Sequence, residues 1–230
     1  MIDIHTHLLF GIDDGAKDYI ETLKMLEAAQ KAGLTGIIVT PHFMAQCINC
    51  PLFQERFDMV YCAASQMGIE LKKGFELKID PFIPGLAAQQ SDIALNSSKY
   101  ILIELPADSF PFYTFEILFK LQIMNFVPII AHPERNAGFI KDYSLFMKLV
   151  ETGCMIQVDS SSIVGFNGRK VKRMAKRIIV SGHAHFVASD AHDIRGYSDW
   201  YCKAFKKVKN WVGEKACFDL FHNNAASIIE

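Results

Sequence analysis

The sequence predicts an α/β fold in which seven parallel strands form a (β/α) barrel. Short apolar runs alternate with amphipathic segments along the chain, which is the pattern of a barrel built from strand and helix units. Side chains that can bind metals follow most of the apolar runs. Half of the 230 residues are hydrophobic, so the chain can bury one large core. Because the sequence shows no repeat and no linker, we expect residues 1–230 to form a single domain.

The first strand begins near Ile2 and ends in a His-x-His pair. Ile2 and Ile4 alternate with polar residues as in a short buried strand. The same alternation places His5 and His7 on one face of the extended backbone, close enough to bind one metal ion. An acidic loop that contains Asp14 follows this strand.

Six further strands are predicted, most of them from short apolar runs such as Gly36 to Val39 and Val127 to Ala131. Runs of this kind are typical of strands that are buried on both faces. Near the end of the third strand, Gly74 allows the backbone to turn. The predicted strands are 34–40, 69–76, 100–104, 127–131, 155–158 and 186–189.

The helices between the strands are predicted from apolar residues at helical spacing. In the first helix Ile20, Leu23 and Leu26 fall on one face, and Gly33 follows as a C-cap. Residues 78–98 are rich in Pro, Asn and Ser and are predicted to be irregular. The predicted helices are 17–31, 54–67, a helix that ends at Gln122, 143–150, 169–180, and two closing helices near 199–212 and 214–222.

Polar side chains lie at the carboxyl ends of most predicted strands. In a barrel all these ends meet on one face, and this face carries the function. Burying so many polar groups costs free energy unless each has a partner, and several metal cations would provide one. The residues at these ends, together with one in the first loop, are His5, His7, Asp14, His42, Glu76, Glu104, His132, Asp190 and His192.

The net charge and the cysteine content indicate the class of protein. A formal net charge of −1 gives no field for nucleic acid or an anionic membrane. The apolar runs are too short to cross a bilayer, and the acidic N-terminus does not resemble a signal peptide. Six scattered cysteines fit reduced thiols better than a disulfide framework. We therefore expect a cytoplasmic protein.

With these residues in place, the sequence resembles the PHP (polymerase and histidinol phosphatase) metallo-phosphoesterases. Within them it is most similar to the bacterial PHP-type protein-tyrosine phosphatases of the CpsB/YwqE kind, which are associated with capsule and exopolysaccharide synthesis. The matching motifs occur in the family's order and cover nearly the whole chain. They are Ile2-Asp3-Ile4-His5-Thr6-His7, Ile12-Asp13-Asp14-Gly15-Ala16-Lys17, Thr40-Pro41-His42, Gly74-Phe75-Glu76, Leu102-Ile103-Glu104, Ala131-His132-Pro133-Glu134-Arg135 and Ala188-Ser189-Asp190-Ala191-His192.

The resemblance implies a distorted (β/α)7 TIM-like barrel, the PHP fold, with three divalent metal ions. One ion would be bound by His5, His7, Glu76 and Asp190. A second would share Glu76 and add Glu104 and His132, and a third would be bound by Asp14, His42 and His192. Asp13 is the alternative to Asp14. The donor set contains only N and O atoms, which suits Mn²⁺ or Fe²⁺ and allows Zn²⁺; the family favours Mn²⁺.

The resemblance also implies the reaction. A metal-activated hydroxide would attack the phosphorus of a phosphotyrosine on a partner protein, for which a bacterial tyrosine kinase of capsule or exopolysaccharide synthesis is the expected identity. Arg135 would bind the phosphate oxygens, and Arg195 is a second candidate, although Gly196-Tyr197-Ser198 departs from the family's pattern. The alternatives are a small-molecule phosphatase, such as one acting on histidinol phosphate, and a non-catalytic metal-binding regulator of polysaccharide assembly.

Two cysteine motifs are alternatives to the metal site. Cys50 and Arg56 have the Cys-x5-Arg spacing of thiol-based tyrosine phosphatases, but the segment between them contains a proline and Glu55 and lacks the glycines of an anion-binding loop. Cys47 and Cys50 form a Cys-x-x-Cys pair without a second pair, so reduced loop cysteines are favoured over a zinc site.

Three further features of the sequence have both a structural and a functional interpretation. His183 and His185 precede the seventh strand, which predicts a structural position away from the metals. The basic helix 169–180 has the apolar face of an ordinary amphipathic helix. Aromatic side chains border the predicted mouth of the barrel; core packing is the structural alternative, and the functional hypothesis is that they stack on a phosphotyrosine ring. They are Phe110, Phe112, Tyr113 and those of the loop 43–53.

Overall fold

All strands of the structure are parallel and lie in two sheets that meet at their carboxyl ends. The computed structural model describes residues 1–44, 50–89 and 91–229. In these ranges the strands are β1 (Ile2–Asp3), β2 (Gly36–Val39), β3 (Glu70–Lys73), β4 (Glu76–Lys78), β5 (Tyr100–Glu104), β6 (Val127–Ala131), β7 (Met155–Asp159) and β8 (Phe186–Ala188).

The order of the strands is that of a barrel. One sheet has the order β1-β2-β3 and the other the order β4-β5-β6-β7-β8. Parallel bridges join the two sheets, one between His42 and Glu76 and the other between Thr6 and Ala191. The second bridge brings the chain after β1 beside the chain after β8, so the strands close on themselves. The predicted α/β barrel is confirmed.

The third predicted strand is interrupted. Residues 69–76 form β3, which pairs with β2, and the start of β4, which pairs with β5. The break lies at Gly74, where a Cβ atom would come within 2.7 Å of Leu95 Cδ2 and 3.2 Å of Ile38 Cγ2. Glu76 therefore begins β4 and does not end the third strand, which corrects the prediction. Its backbone bonds to the chain after β2 through Glu76 N to Pro41 O at 3.1 Å.

The helices cover the outside of the strands, with three differences from the prediction. The second helix begins at Pro51 and not at residue 54, because proline is favoured in the first turn of a helix. The segment 78–98 contains a helix that was not predicted, Ile83–Gln89. Two short helices were also missed between strands, Ala137–Lys141 and Ser160–Val164. The helices are α1 (Tyr19–Lys31), α2 (Pro51–Gln66), α3 (Ile83–Gln89), α4 (Thr114–Ile123), α5 (Ala137–Lys141), α6 (Tyr143–Glu151), α7 (Ser160–Val164), α8 (Arg169–Val180), α9 (Cys202–Val212), α10 (Glu214–Phe218) and α11 (Asn224–Ile229).

The C-terminal helices are divided by wide turns. A π-helical turn at Gly196–Tyr201 leads into α9, and another at Asp219–Asn223 connects α10 to α11. Tyr201 is fully buried and its hydroxyl donates to Ile2 O at 3.3 Å, which fixes this segment to the first strand. In the part of the chain that the structure describes, no helix has the length and apolar character needed to span a membrane.

The interior of the barrel is filled at the end opposite to the predicted site. Inward-facing apolar side chains of the strands form a separate core cluster with the C-terminal helix α11. A packed interior leaves the carboxyl ends of the strands as the place for polar chemistry. The strand residues of this cluster include Ile2, Ile38, Leu102, Ile129 and Phe186, and Ile228 and Ile229 cover them from α11.

Candidate metal centre

The carboxyl ends of the strands bring all nine predicted metal-binding side chains together. Their donor atoms form four overlapping groups, and within each group the atoms lie within 4.8 Å of one another. The groups are His7, Asp14, His42 and His192; His5, His7 and Asp190; His5, Glu76 and His132; and His42, Glu76 and Glu104.

His5 and His7 face each other through their Nε2 atoms, which are 3.4 Å apart. Both side chains are fully buried. Asp190 Oδ1 lies 3.2 Å from Nε2 of His5 and 3.3 Å from Nε2 of His7. Two imidazoles and one carboxylate oxygen thus surround one small volume, as the His-x-His alternation predicts.

Glu76 joins the groups because both of its carboxylate oxygens have histidine neighbours. Oε1 lies 3.0 Å from His132 Nε2, and Oε2 lies 3.0 Å from His42 Nδ1 and 3.3 Å from His5 Nε2. The carboxylate is almost completely buried, at 1% exposure. A position at the start of β4, beside the bridge to His42, places it in the middle of the cluster.

The outer group contains Asp14, His42 and His192. Asp14 Oδ1 lies 3.6 Å from His42 Nε2 and 3.4 Å from His192 Nε2. The Asp14 side chain is 66% exposed, so this part of the cluster is open to solvent. Glu104 lies on another side, in one group with His42 and Glu76 and not in the group that contains His132.

The backbone at two strand ends adopts the left-handed conformation. His132 has a φ of 33° and Asp190 a φ of 47°. Non-glycine residues adopt this conformation at a cost, and such residues concentrate at functional sites. The turns occur directly after β6 and β8, and both side chains belong to the cluster.

The ionised carboxylates of the cluster favour positive charge in their neighbourhood. Burial lowers the pKa of His5, but the nearby carboxylates of Glu76 and Asp190 outweigh burial and raise the pKa to about 9. Burial raises the pKa of Glu76, but His5 and the other histidines hold it well below its ordinary value. Burial likewise raises the pKa of Asp190, and His5 and Arg135 lower it well below its ordinary value. The carboxylates therefore stay ionised and attract protons or cations.

The hydrogen bonds behind the histidines fit a bound cation. His5 Nδ1 lies 3.1 Å from Gln157 Oε1, and His7 Nδ1 lies 2.6 Å from Asp13 Oδ2. Because both partners are acceptors, each Nδ1 carries the proton when the ring is neutral, and the two facing Nε2 atoms present lone pairs. Glu104 Oε2 is buried and has no hydrogen-bond partner within the described ranges. A divalent cation would satisfy these facing donors.

The supporting residues Asp13 and Gln157 were not identified as such from the sequence. Asp13 Oδ2 also accepts from His42 N at 2.9 Å, and Gln157 Oε1 accepts from His132 N at 3.3 Å. Gln157 lies between the apolar residues Ile156 and Val158 in β7, and a polar residue in this buried position is the signal that could have revealed it. Asp13 was considered only as an alternative ligand.

Of the two predicted phosphate-binding arginines, only Arg135 reaches the cluster. Its Nη2 lies 2.7 Å from Asp190 Oδ2 and also contacts Asp159. The guanidinium of Arg195 is exposed and pairs with Asp193 at 2.6 Å. The proposed phosphate contact of Arg195 therefore has no geometric support here.

The cysteine alternatives do not form a site in the described residues. Pro51–Gln66 is helical, and Gln54 N donates to Cys50 O at 3.2 Å, so the segment between Cys50 and Arg56 is not an anion-binding loop. The Arg56 guanidinium contacts Phe10 O and stacks on the Phe10 ring at 4.4 Å. Cys47 lies outside the described residues, as does part of the aromatic loop 43–53.

The second His-x-His pair lies where the sequence predicted it. His185 Nδ1 accepts from Ile156 N at 3.1 Å, near the start of β7 and away from the carboxyl ends of the strands. The His183 ring packs against Phe146 with 6.3 Å between ring centroids. His183 and His185 therefore contact a phenylalanine ring and a strand backbone, as expected for residues with a structural role.

The fold and the site define an α/β barrel with a candidate metal centre on its functional face. Residues 1–230 match the family described as capsular polysaccharide synthesis, CpsB/CapC. The chain belongs to this family, as the motifs predicted.

Named relatives agree with this assignment. The chain is 37% identical to the tyrosine-protein phosphatase YwqE of Bacillus subtilis, over 85% of this chain and 78% of that protein. It is 27% identical to the tyrosine-protein phosphatase CpsB of Streptococcus agalactiae, over 100% of this chain and 98% of that protein.

Solved structures show the same fold. A structure described under YwqE from Bacillus subtilis and CpsB from Streptococcus pneumoniae, unique metal-dependent tyrosine phosphatases, matches with a TM-score of 0.90 and 31% identity, covering 99% of this chain and 94% of that one. A histidinol phosphate phosphatase of Lactococcus lactis matches with a TM-score of 0.61 at 13% identity, covering 96% of this chain and 94% of that one, which shows the shared fold alone.

Proposed function

We propose that this chain is a metal-dependent tyrosine-protein phosphatase. The observation that carries the proposal is the cluster of nine residues with N and O donor atoms on the functional face of the barrel, in a chain that is 37% identical to a tyrosine-protein phosphatase. A regulator without activity would not need an arginine beside such a cluster. We treat residues 1–230 as one catalytic domain.

The proposed centre holds three divalent ions. His5, His7, Glu76 and Asp190 would bind the first ion. Glu76 and His132 would bind the second together with Glu104, which lies beside Glu76 in the group that also contains His42. Asp14, His42 and His192 would bind the third. Asp14 is favoured over Asp13 because Asp14 Oδ1 is close to two histidine Nε2 atoms, whereas Asp13 Oδ2 is occupied by His7. We propose Mn²⁺, with Fe²⁺ or Zn²⁺ as alternatives, because the donors include no thiolate.

The chain's own residues would hold and orient the phosphate. When bound, the ions would polarise the phosphate oxygens and supply an activated water as the nucleophile. Arg135 would donate hydrogen bonds to the phosphate from beside Asp190, where a planar cation suits a dianion. The phenol of tyrosine has a pKa of about 10, so its phenolate leaves more readily than an alkoxide. The tyrosine leaving group therefore needs little help from an acid.

The proposed substrate is a phosphotyrosine-bearing protein. We propose a tyrosine kinase of capsule or exopolysaccharide synthesis, since the family is described by capsular polysaccharide synthesis. A cytoplasmic location, predicted from the scattered cysteines, is part of the same proposal.

The test compares substrates. Phosphate release is measured from one peptide carrying phosphotyrosine, from the same peptide carrying phosphoserine, and from histidinol phosphate. We expect kcat/KM to be highest for the phosphotyrosine peptide. Turnover of histidinol phosphate alone would make the small-molecule phosphatase the correct function, and no turnover of any of the three would contradict the assignment as a phosphatase of these substrates.

A further inference from the structure

The guanidinium of Arg135 is held between two carboxylates. Its Nη2 contacts Asp159, and the same nitrogen lies 2.7 Å from Asp190 Oδ2. Asp190 also faces His5 and His7, so it belongs to the metal cluster. Asp159 is in none of the candidate metal groups of the described residues, and it is fully buried. A buried charge of this kind needs a specific partner.

Asp159 is itself held by hydrogen bonds to three residues, Ser161, Asn167 and Glu134. As the N-cap of α7, its Oδ1 accepts from Ser161 N at 3.1 Å. Its Oδ2 accepts from Ser161 Oγ at 2.5 Å, and its own backbone N donates to Glu134 Oε1 at 2.9 Å. Because Glu134 precedes Arg135 in the chain, this bond ties the turn that carries the arginine to the end of β7.

The contacts on Nη2 leave other donors of Arg135 free. A guanidinium has five N–H donors, and both carboxylates contact the same nitrogen. Arg135 Nε is buried and has no hydrogen-bond partner among the described residues. Arg135 lines a small cavity of about 80 Å³ together with Glu104 and His132, two members of the metal cluster.

We propose that Asp159 is a positioning residue that orients Arg135 toward the phosphate. This inference rests on the proposed function, because it names a residue that acts through the phosphate-binding arginine. With Nη2 held by Asp159, the donors of the guanidinium that contact no carboxylate would serve a phosphate in the cavity that Arg135, Glu104 and His132 line. A preorganised donor binds its ligand without paying to order its side chain on binding.

The chain offers a matched control for the capping role of Asp159. Asp142 is the N-cap of α6 in the same Asp-x-Ser arrangement, and its Oδ1 accepts from Ser144 N at 2.9 Å. Asp142 is exposed and contacts no arginine among its recorded partners. Asp142→Asn therefore removes a capping carboxylate without changing Arg135.

The experiment uses Asp159→Asn, Asp142→Asn, Arg135→Ala and the double variant Asp159→Asn/Arg135→Ala of the metal-loaded protein. Three quantities are measured: the Kd of inorganic phosphate by calorimetry, KM and kcat for a phosphotyrosine peptide, and the bound metal per chain. We expect Asp159→Asn to raise the phosphate Kd and the peptide KM about tenfold, the scale of one misplaced charge-assisted hydrogen bond. Asp142→Asn should leave both unchanged, and metal content should be constant.

The double variant decides how Asp159 acts. If it works through Arg135, Asp159→Asn adds nothing once Arg135 is alanine. An equal effect of Asp159→Asn and Asp142→Asn, or a full additional loss in the double variant, would overturn the inference. If Asp159→Asn does not fold, Asn167→Ala removes the Nδ2 donor that lies 3.4 Å from Asp159 Oδ2 and 2.8 Å from Ser161 Oγ, and it should raise the phosphate Kd in the same direction. A wild-type protein that binds phosphate but does not hydrolyse the peptide would contradict the proposed function. In that case the phosphate Kd values of the variants would still test the role of Asp159.

Discussion

Asp13 Oδ2 lies 2.6 Å from Nδ1 of His7 and turns the other nitrogen of that ring toward His5. The same oxygen accepts from the backbone N of His42 at 2.9 Å, so one carboxylate orients two parts of the cluster. Carboxylates behind metal-binding histidines fix the tautomer and strengthen the ligand. Asp13 orients His7, whereas Asp14 faces His42 and His192, so the two successive acidic residues have different roles.

Replacement of Asp13 by asparagine should weaken metal binding. The variant keeps an oxygen next to His7 but loses the charge, and we expect the metal Kd to rise about 10- to 100-fold. The measurement is a metal titration against a competing chelator. Asp18→Asn, which changes the N-cap of α1, is the control and should bind metal like the wild type. Unchanged metal affinity in Asp13→Asn would remove Asp13 from the centre.

Metal affinity should rise with pH. In the metal-free protein the pKa of His5 is raised to about 9, so near neutral pH the folded chain keeps a proton that the unfolded chain begins to release above about 6.5. Binding of a cation expels this proton, so affinity increases between pH 6.5 and 9. Titration calorimetry at pH 7.5 in two buffers of different ionisation enthalpy should show proton release; equal heats in both buffers would contradict it.

The raised pKa of His5 should also make the stability of the metal-free protein depend on pH. Because the folded-state pKa of His5 lies above the unfolded value, its contribution is present below pH 6.5 and is lost as pH rises to about 9. With EDTA present, the Tm should therefore fall over this range. Added metal should reverse the trend.

Glycine at position 15 should be required for the first loop. A Cβ atom there would lie 2.0 Å from His7 O and 2.5 Å from His7 Cβ, so Gly15→Ala must displace the loop that carries Asp13 and Asp14. We expect a loss of about 1–3 kcal/mol in the free energy of unfolding and weaker metal binding. Gly85→Ala is the control, because nothing lies within 4 Å of its added Cβ in α3. A Gly15→Ala variant as stable as Gly85→Ala would contradict the packing of this loop.

Phe112 should contribute to the binding of a phosphotyrosine ring. Its side chain is 94% exposed, and its loop is held beside the Arg135 turn by Asn136 Nδ2, which donates to Ser109 O at 2.8 Å. We expect Phe112→Ala to raise the KM for a phosphotyrosine peptide about two- to tenfold, the scale of one aromatic contact.

The control for Phe112 is Phe119, which is 62% exposed on α4. Phe119→Ala should not change KM. An alkyl phosphate, which has no ring to stack, should show equal KM values for the wild type and both variants. An equal KM for the peptide in wild type and Phe112→Ala would exclude the stacking role.

The sequence was sufficient for the parts of the molecule that depend on local patterns. Strands β5 and β6 and helix α8 have the predicted bounds, because their apolar runs and helical spacing are uninterrupted. Most of the metal-binding residues lie at the carboxyl ends of strands or just after them, and parallel strands bring these ends to one face; Glu76, at the start of β4, is the exception. The nine side chains could therefore be grouped before their distances were known.

The missed features depend on neighbours that are distant in the chain. The break at Gly74 is set by contact with Leu95 and Ile38, which no local pattern indicates. Asp159 is recognisable as a helix cap from its sequence, but its contact with Arg135 joins two different strand ends. Arg195, predicted from its position after His192, pairs with its near neighbour Asp193, and its contact with the phosphate stays a prediction.

The most direct test of the central claim is the metal dependence of phosphotyrosine hydrolysis. Phosphate release from a tyrosine-phosphorylated peptide is measured after EDTA treatment, after Mn²⁺ is restored, and in the Cys50→Ser variant. The metal centre predicts that EDTA abolishes activity, that Mn²⁺ restores it, and that Cys50→Ser is as active as the wild type. Activity that survives complete removal of metal, or that is lost in Cys50→Ser with bound metal intact, would contradict it.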